Sequence, residues 1–100
     1  MKKYVVYILR CENGTFYTGF TRNVEMRLHH HNNGTGAKYT ARHNPCTLVY
    51  QEEFDDREIA LHRELQIKKK KSHEQKVQLI MKFVADKLKA VEDEILWYVA

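Results

Sequence analysis

The sequence predicts an α+β fold in which a small three-stranded antiparallel sheet is flanked by helices, in the order β-β-α-β-α-α. Two β-rich segments joined by a short turn open the chain. A third β-rich segment follows a helix, and the rest of the chain keeps the spacing of apolar residues that is typical of helices. One hundred residues suffice for one modest core, so we expect one domain spanning residues 1–100.

The opening segments predict a β-hairpin. Residues 4–9, YVVYIL, and residues 15–20, TFYTGF, are rich in the β-branched and aromatic side chains that favour strands. Between them, Glu12, Asn13 and Gly14 have the composition of a turn. The chain runs into this turn without the small residues of a cleavage site, so its start is interpreted as a strand and not as a signal peptide.

A helix is expected after the hairpin. Asn23 is a suitable N-cap, and Asn33 followed by Gly34 is typical of a helix end. Residues 34–46, GTGAKYTARHNPC, show neither helical nor alternating periodicity. We therefore interpret them as a basic loop.

A third strand and a second helix come next. Residues 47–54, TLVYQEEF, have strand composition, and Asp55 or Asp56 then caps a helix that runs to about Lys71. The inward stripe predicted for this helix consists of Ala60, Leu61, Leu65 and Ile67.

The last helix has its own start signal. Ser72 and Gln75 have the spacing of a capping box, and apolar residues keep helical spacing from there to the C terminus. A break near Asp86 is possible. Residues 95–100, ILWYVA, form an apolar end that would serve as core packing or as a dimer surface, and core packing is the expectation.

Charge and composition restrict the partners. The first 50 residues hold seven Lys and Arg against two Glu, whereas the second 50 hold ten against eleven acidic residues, which favours a polyanionic partner for the first half. No apolar run approaches the roughly 18 residues of a membrane span, so no membrane partner is expected. Cys11 and Cys46 have no metal-binding spacing, which predicts free thiols and a cytoplasmic location.

The three consecutive histidines, His29 to His31, do not have the geometry of a zinc site. Neighbours on a helix point about 100° apart, so the three rings cannot converge on one ion. Arg27 and His31, however, are four residues apart and share a helix face. They are either an exposed arginine beside a half-buried histidine, or a guanidinium aimed at phosphate oxygens from the edge of the core.

Glu64 is unusual because it lies in or beside the predicted inward stripe of its helix, where unpaired carboxylates are uncommon. It is either an edge carboxylate paired with Lys68 or a metal ligand. Tyr7 and Tyr17, one in each strand of the hairpin, are either core residues or part of the same site. The run of lysines at 68–71 is either a solvated helix end or a nucleic-acid contact.

Together these residues resemble the GIY-YIG nuclease superfamily. Residues 5–7, VVY, occupy the place of its first motif, and residues 17–19, YTG, that of its second. Arg27 followed by His31-Asn32 is similar to the family's helix pattern, and Glu64 to its lone acidic residue. The first motif lacks its usual glycine and isoleucine but keeps the tyrosine. The likeness covers residues 4–83, as in small stand-alone bacterial members, and leaves 84–100 as a helical extension.

The resemblance implies a metal-dependent endonuclease that hydrolyses phosphodiester bonds in DNA, including branched or repair-related structures. Glu64 would hold one divalent cation, Mg²⁺ or Mn²⁺. Arg27 would neutralise charge in the transition state. Tyr7 or Tyr17 would take a proton from the attacking water, and His31 would orient a tyrosine or a phosphate, or transfer a proton.

A nucleic-acid partner would need a contact surface outside the reacting groups, and DNA is favoured over RNA. Candidate contacts come from the basic loop and from the lysine run: Lys38, Tyr39, Arg42 and Lys68. The alternative function is a nucleic-acid-binding module that keeps this fold and cuts poorly or not at all. The oligomeric state is left open by the sequence.

The register of the hairpin decides whether the two tyrosines can act together. The Asn-Gly dipeptide favours a two-residue turn, which would put Tyr7 opposite Phe20 and send Tyr7 and Tyr17 to opposite faces. A three-residue loop with Gly14 in the left-handed conformation puts Tyr7 opposite Gly19 instead, and both phenols then share a face. Function favours this bulged register, and we predict it.

Overall fold

A computed structural model describes residues 3–35 and 38–99, apart from the side chains of Lys38, Tyr39, Tyr98 and Val99. Its elements follow the predicted order, with one short helix added. They are β1 (Tyr4–Arg10), β2 (Phe16–Thr21), α1 (Val24–Asn32), α2 (Lys38–Arg42), β3 (Thr47–Phe54), α3 (Arg57–Leu65), a π-helical turn (Gln66–Lys70) and α4 (His73–Val99). The fold is therefore α+β, as predicted.

The three strands form one antiparallel sheet in the order β2-β1-β3. Tyr7 pairs with Gly19 and Leu9 pairs with Tyr17, so the bulged register is confirmed. Gly14 has a φ of 84°, the left-handed conformation that the three-residue loop requires. The loop is closed by the Cys11 amide, which donates to the Thr15 carbonyl at 2.8 Å.

The central strand β1 separates two apolar clusters because alternate side chains point to opposite faces. On one face, Val6 and Ile8 pack with residues of α3 and α4. On the other face, Tyr7 and Leu9 pack with Cys11 and with residues of α1 and β3. Both faces of β1 are buried, and the candidate residues of the hairpin lie on the second one.

The helix starts agree with the predicted caps. The Asn23 side chain accepts a hydrogen bond from the Met26 amide, and the Asp56 carboxylate accepts one from the Ile59 amide. Ser72 and Gln75 form the reciprocal capping box at the start of α4. Short side-chain oxygens before each helix satisfy amides that would otherwise lack partners.

Two predictions about helices were wrong. Residues 38–42, within the segment interpreted as a loop, form the short helix α2. Five residues are too few to show helical periodicity, so the sequence carried no signal for it. Helix α4 runs without a break through Asp86 to Val99. It contains neither glycine nor proline, so nothing in its backbone interrupts it.

Two predictions about burial were also wrong. Leu65 is exposed, because it lies well off the direction that buries Ala60 and Ile67 completely. At the apolar C-terminal end, Ile95, Leu96 and Trp97 are exposed and do not pack in the core. The side chains of residues 98–100 lie outside the described part of the chain.

Candidate active site

Tyr7 and Tyr17 lie on the same face of the hairpin, on neighbouring strands. Tyr7 is almost fully buried, and its cross-strand partner Gly19 makes room for it. A Cβ atom at Gly19 would overlap the hydroxyl oxygen and the ring of Tyr7. The missing side chain at Gly19 therefore fixes where the Tyr7 ring lies.

His31 contacts both tyrosines from α1. Its Nε2 atom is 2.9 Å from the Tyr7 hydroxyl, and its ring lies edge-on to the Tyr17 ring with centroids 5.0 Å apart. The histidine is completely buried. The site therefore has a hydrogen-bonded tyrosine–histidine pair at its centre.

Thr40 of α2 holds the other side of the histidine ring. Its Oγ1 atom is 2.6 Å from Nδ1 of His31, and both residues are fully buried. Sequence reasoning missed Thr40 because the segment around it was interpreted as a loop. The only signal was a threonine among basic residues, which does not indicate burial.

The position of His31 depends on its neighbour Asn32. The Asn32 side-chain oxygen accepts from the Cys46 amide at 2.7 Å, and its side-chain nitrogen donates to the Cys46 carbonyl at 3.1 Å. These two bonds attach the end of α1 to the residue just before β3. Together with the Asn23 cap, they hold α1 at both ends and so orient His31 towards the sheet.

Arg27 lies one turn before His31 and is exposed. Its positive charge favours lower pKa values for both Tyr7 and His31, which opposes the effect of burial on Tyr7 and adds to it on His31. The arginine thus stands at the solvent edge of the tyrosine–histidine pair. A guanidinium in this place can meet an anion from solution.

Glu64 is the candidate metal ligand on α3. It lies on the helix direction of Ala60 and Ile67, which are fully buried, yet its own side chain is only half-buried. Its negative charge raises the pKa of Tyr7, which places the carboxylate within electrostatic reach of the phenol. Within residues 3–35 and 38–99, Glu64 takes part in no salt bridge.

Two features hold Glu64 in place. The neighbouring Arg63 donates from Nε to the Glu52 carboxylate of β3 at 2.9 Å, which ties α3 to the sheet. The π-helical turn begins two residues after Glu64 and buries Ile67. Such turns are frequent at functional sites because they re-aim side chains without ending the helix. No sequence motif pointed to this role of Arg63.

The pKa values of Tyr7 and His31 are shifted in opposite directions. Burial raises the pKa of Tyr7 to about 12, with the charges of Tyr17 and Glu64 adding to the increase and Arg27 opposing it. Burial, followed by the charges of Arg27 and His30, lowers the pKa of His31. At neutral pH, the pair is therefore an uncharged phenol beside an uncharged imidazole.

The residues present fit one type of metal site and not another. No group of three or more His, Cys, Asp or Glu that could hold an ion occurs in the described part of the chain, so a closed cage of side chains is absent there. A half-buried carboxylate without a salt-bridge partner fits a hard cation that keeps most of its water, as Mg²⁺ does. Glu64 is the residue that would hold it.

The candidate nucleic-acid contacts are only partly visible. Arg42 and Lys68 are exposed, at the end of α2 and in the π-helical turn. The side chains of Lys38 and Tyr39 lie outside the described residues. Within the described chain, no helix has both the length and the apolar character of a membrane span.

The chain is similar in sequence to a known protein family. Residues 3–78 match the family model described as the GIY-YIG catalytic domain. A UPF0213 protein of Staphylococcus saprophyticus is 50% identical over 68 residues, which make up 68% of this chain and 83% of that protein. A UPF0213 protein of Clostridium perfringens is 51% identical over 75 residues, or 75% and 80% of the two chains.

Solved structures show the same fold. The solution structure of a protein from E. faecalis is 37% identical, with a TM-score of 0.57, and the match covers 85% of this chain and 93% of that one. The solution structure of the UPF0213 protein from Bacillus halodurans is 40% identical with a TM-score of 0.52, and covers 78% and 82%.

Proposed function

The chain belongs to the GIY-YIG nuclease family, and on this premise we propose that it is a metal-dependent endonuclease that hydrolyses phosphodiester bonds in DNA, including branched or repair-related structures. The observation that carries the proposal is the buried contact of Tyr7 with His31; Arg27 lies one turn away on α1, and the charge of Glu64 acts on Tyr7 from α3. Nucleases of this family are generally metal-dependent.

Each residue has a role that its chemistry supports. Glu64 binds the cation, Mg²⁺ or Mn²⁺, which when bound polarises the scissile phosphate. Arg27, exposed at the edge of the site, donates to the phosphate oxygens as negative charge develops on them. Tyr17, more accessible than Tyr7, faces the same space and contacts the ring of His31.

Tyr7 and His31 act on the proton of the attacking water. The raised pKa of Tyr7 keeps its hydrogen in place at neutral pH, and we infer that the phenol donates this hydrogen to Nε2 of His31. The neutral imidazole then carries its hydrogen on Nδ1 and donates it to Thr40. In this arrangement, a proton accepted by the Tyr7 oxygen displaces the phenolic hydrogen onto Nε2.

The raised pKa of Tyr7 and the lowered pKa of His31 oppose transfer of the phenolic hydrogen to Nε2. A change of charge at Glu64 would reduce this opposition. The Glu64 carboxylate is one of the groups that raise the pKa of Tyr7. Compensating its charge removes this contribution, so the phenol gives up its hydrogen to Nε2 of His31 more readily. The Arg27 guanidinium already acts in the same direction.

Exposed Arg42 and Lys68, with Lys38 and Tyr39, are the proposed contacts to the DNA backbone. We also infer that residues 1–100 form a single domain, with the site in 4–83 and a helical extension in 84–100. Cys11 and Cys46 are buried free thiols whose sulfurs lie 3.8 Å apart, and we infer a cytoplasmic location.

The second candidate function is a nucleic-acid-binding module with little or no cleavage. It is favoured by the burial of Tyr7 and by a phenol pKa of about 12, which suit a structural tyrosine better than a base. The two candidates are distinguished by incubating the chain with labelled single-stranded, duplex and branched DNA, and with the matching RNAs, in Mg²⁺ or Mn²⁺. Cleavage that EDTA stops supports the nuclease, and binding without cleavage of any substrate supports the module.

A further inference from the structure

Helix α4 is longer than the sheet requires. Its first half packs against the core through Leu79, Ile80 and Phe83. The family match ends at residue 78, yet the helix continues to Val99. A UPF0213 protein of Staphylococcus haemolyticus aligns over 80 residues that make up 96% of its own length, so it is shorter than this chain. The second half of α4 therefore lies beyond the matched domain.

This part of α4 carries an apolar stripe, defined as Met81, Val84, Leu88, Val91 and Ile95. All five side chains are exposed, by 44–64% of their surface. Their separations alternate between three and four residues. At about 100° per residue they fall within about 80° of the helix circumference, beside the face that packs on the sheet.

The charges beside the stripe exclude a membrane surface and a nucleic acid as its binding partner. Between residues 81 and 95, three lysines are interspersed with four acidic residues. A helix that binds a membrane surface or a nucleic acid needs a predominantly basic polar face, and this segment has none. A protein surface is the remaining occupant.

We propose that the stripe binds the same stripe of a second copy of this chain. Alternating spacings of three and four are the pattern of a coiled-coil seam, in which each helix covers the apolar line of the other. Five aligned apolar side chains are more than a helix exposes without a partner. The seam is equivalent on both copies, so it closes into a symmetric dimer.

Charge complementarity supports a second copy. Lys87 flanks the stripe on one side. In a parallel dimer, Glu92 of the second copy would lie beside Lys87, and in an antiparallel dimer Glu94 of the second copy would lie there. Either arrangement pairs opposite charges. The stripe belongs to a helix on the sheet face opposite Tyr7 and His31, so dimerisation leaves the face that carries these two residues uncovered.

Sedimentation equilibrium of the full chain tests the proposal. The wild type should show a concentration-dependent dimer. Leu88→Glu should weaken association by at least about tenfold, because it would bury a charge in the seam. Ala90→Glu adds the same charge on the other side of the helix and should associate like the wild type. Leu88 is exposed in the single chain, so its replacement should leave the helical content measured by circular dichroism unchanged.

A charge exchange adds a second measurement. Lys87→Glu should weaken association, and adding Glu92→Lys or Glu94→Lys should restore it, with the restoring residue identifying the parallel or antiparallel arrangement. A wild-type chain that stays monomeric even at millimolar concentration would overturn the proposal. Equal association of wild type, Leu88→Glu and Ala90→Glu would overturn it as well.

Discussion

The Tyr7 hydroxyl and the Nε2 atom of His31 lie 2.9 Å apart, although 24 positions separate the two residues in the chain. This contact joins the central strand to helix α1 and is buried on every side. Since burial raises the pKa of the phenol and lowers that of the imidazole, the bond connects two neutral groups at pH 7. In the proposed mechanism, this bond carries the proton, and the charges of Arg27 and Glu64 influence the transfer.

Replacing Gly19 by alanine should disrupt this contact. The new Cβ would overlap Tyr7, whose ring must move, and overpacking of this kind costs roughly 1–3 kcal/mol. We expect lower stability in urea unfolding and loss of cleavage.

Gly34→Ala is the control. Gly34 has a φ of 82°, so alanine there should cost about 1–2 kcal/mol of stability, but the added Cβ atom would meet nothing within 4 Å. It should lose stability and keep cleavage. Similar cleavage by the two variants would contradict the role of Gly19.

Thr40 should fix the tautomer of His31. The nitrogen chemical shifts of the His31 ring can be measured by NMR on the protein without DNA. They should show the hydrogen on Nδ1 and a free lone pair on Nε2. Thr40→Ser keeps the hydroxyl and should preserve this state, whereas Thr40→Val should shift the population towards the other tautomer. Finding the hydrogen on Nε2 in the wild type would reverse the proposed direction of the Tyr7 hydrogen bond, whether or not the protein cleaves DNA.

Stability should fall at alkaline pH because of Tyr7. The unfolded chain loses this proton near pH 10, while the folded chain keeps it until about pH 12, so the folded state binds more protons between these values. The free energy of unfolding should drop by about 2–3 kcal/mol across this window from Tyr7 alone.

The difference between wild type and Tyr7→Phe isolates that contribution, since burial also raises the pKa of Tyr50 and adds to the same slope in both proteins. Equal alkaline slopes for the two would show that Tyr7 is not the responsible group. On the acid side the sign is opposite: His31 has a lowered pKa, so stability should decline as pH falls below about 6.5.

DNA binding should weaken steeply with added salt, because each phosphate contact releases counterions. Arg42→Ala and Lys68→Ala should each weaken binding and flatten the dependence of log affinity on log salt by about one unit. Lys89→Ala, in the exposed second half of α4, should leave the slope unchanged. If all three variants share the wild-type slope, DNA binds elsewhere on the molecule.

The sequence predicted the parts of the fold that depend on short-range signals. Asn23, Asp56 and the Ser72–Gln75 pair each mark a helix start by local hydrogen bonding, and all three caps were found. The hairpin register was harder, because the Asn-Gly dipeptide favours a different turn. It was predicted only through the requirement that Tyr7 and Tyr17 share a face.

What the sequence could not predict depends on tertiary contacts. The five residues of α2 carry no periodic pattern, and the burial of Thr40 depends on its bond to His31. The exposed end of α4 was assigned to the core because its residues are apolar. Hydropathy alone cannot tell whether a helix extends past the sheet that it packs on. The effect of the Glu64 charge on the pKa of Tyr7 likewise exists only in the folded chain.

In the proposed function, Glu64 holds the cation that makes this site cut DNA. The direct test compares Glu64→Gln with Glu58→Gln, a matched replacement at an exposed position of the same helix, in metal-dependent cleavage and in DNA binding. Wild type and Glu58→Gln should cleave alike, while Glu64→Gln should bind DNA about as well as the wild type and cleave none. Cleavage by Glu64→Gln at the wild-type rate, or parallel loss of binding and cleavage in a folded Glu64→Gln protein, would contradict the claim.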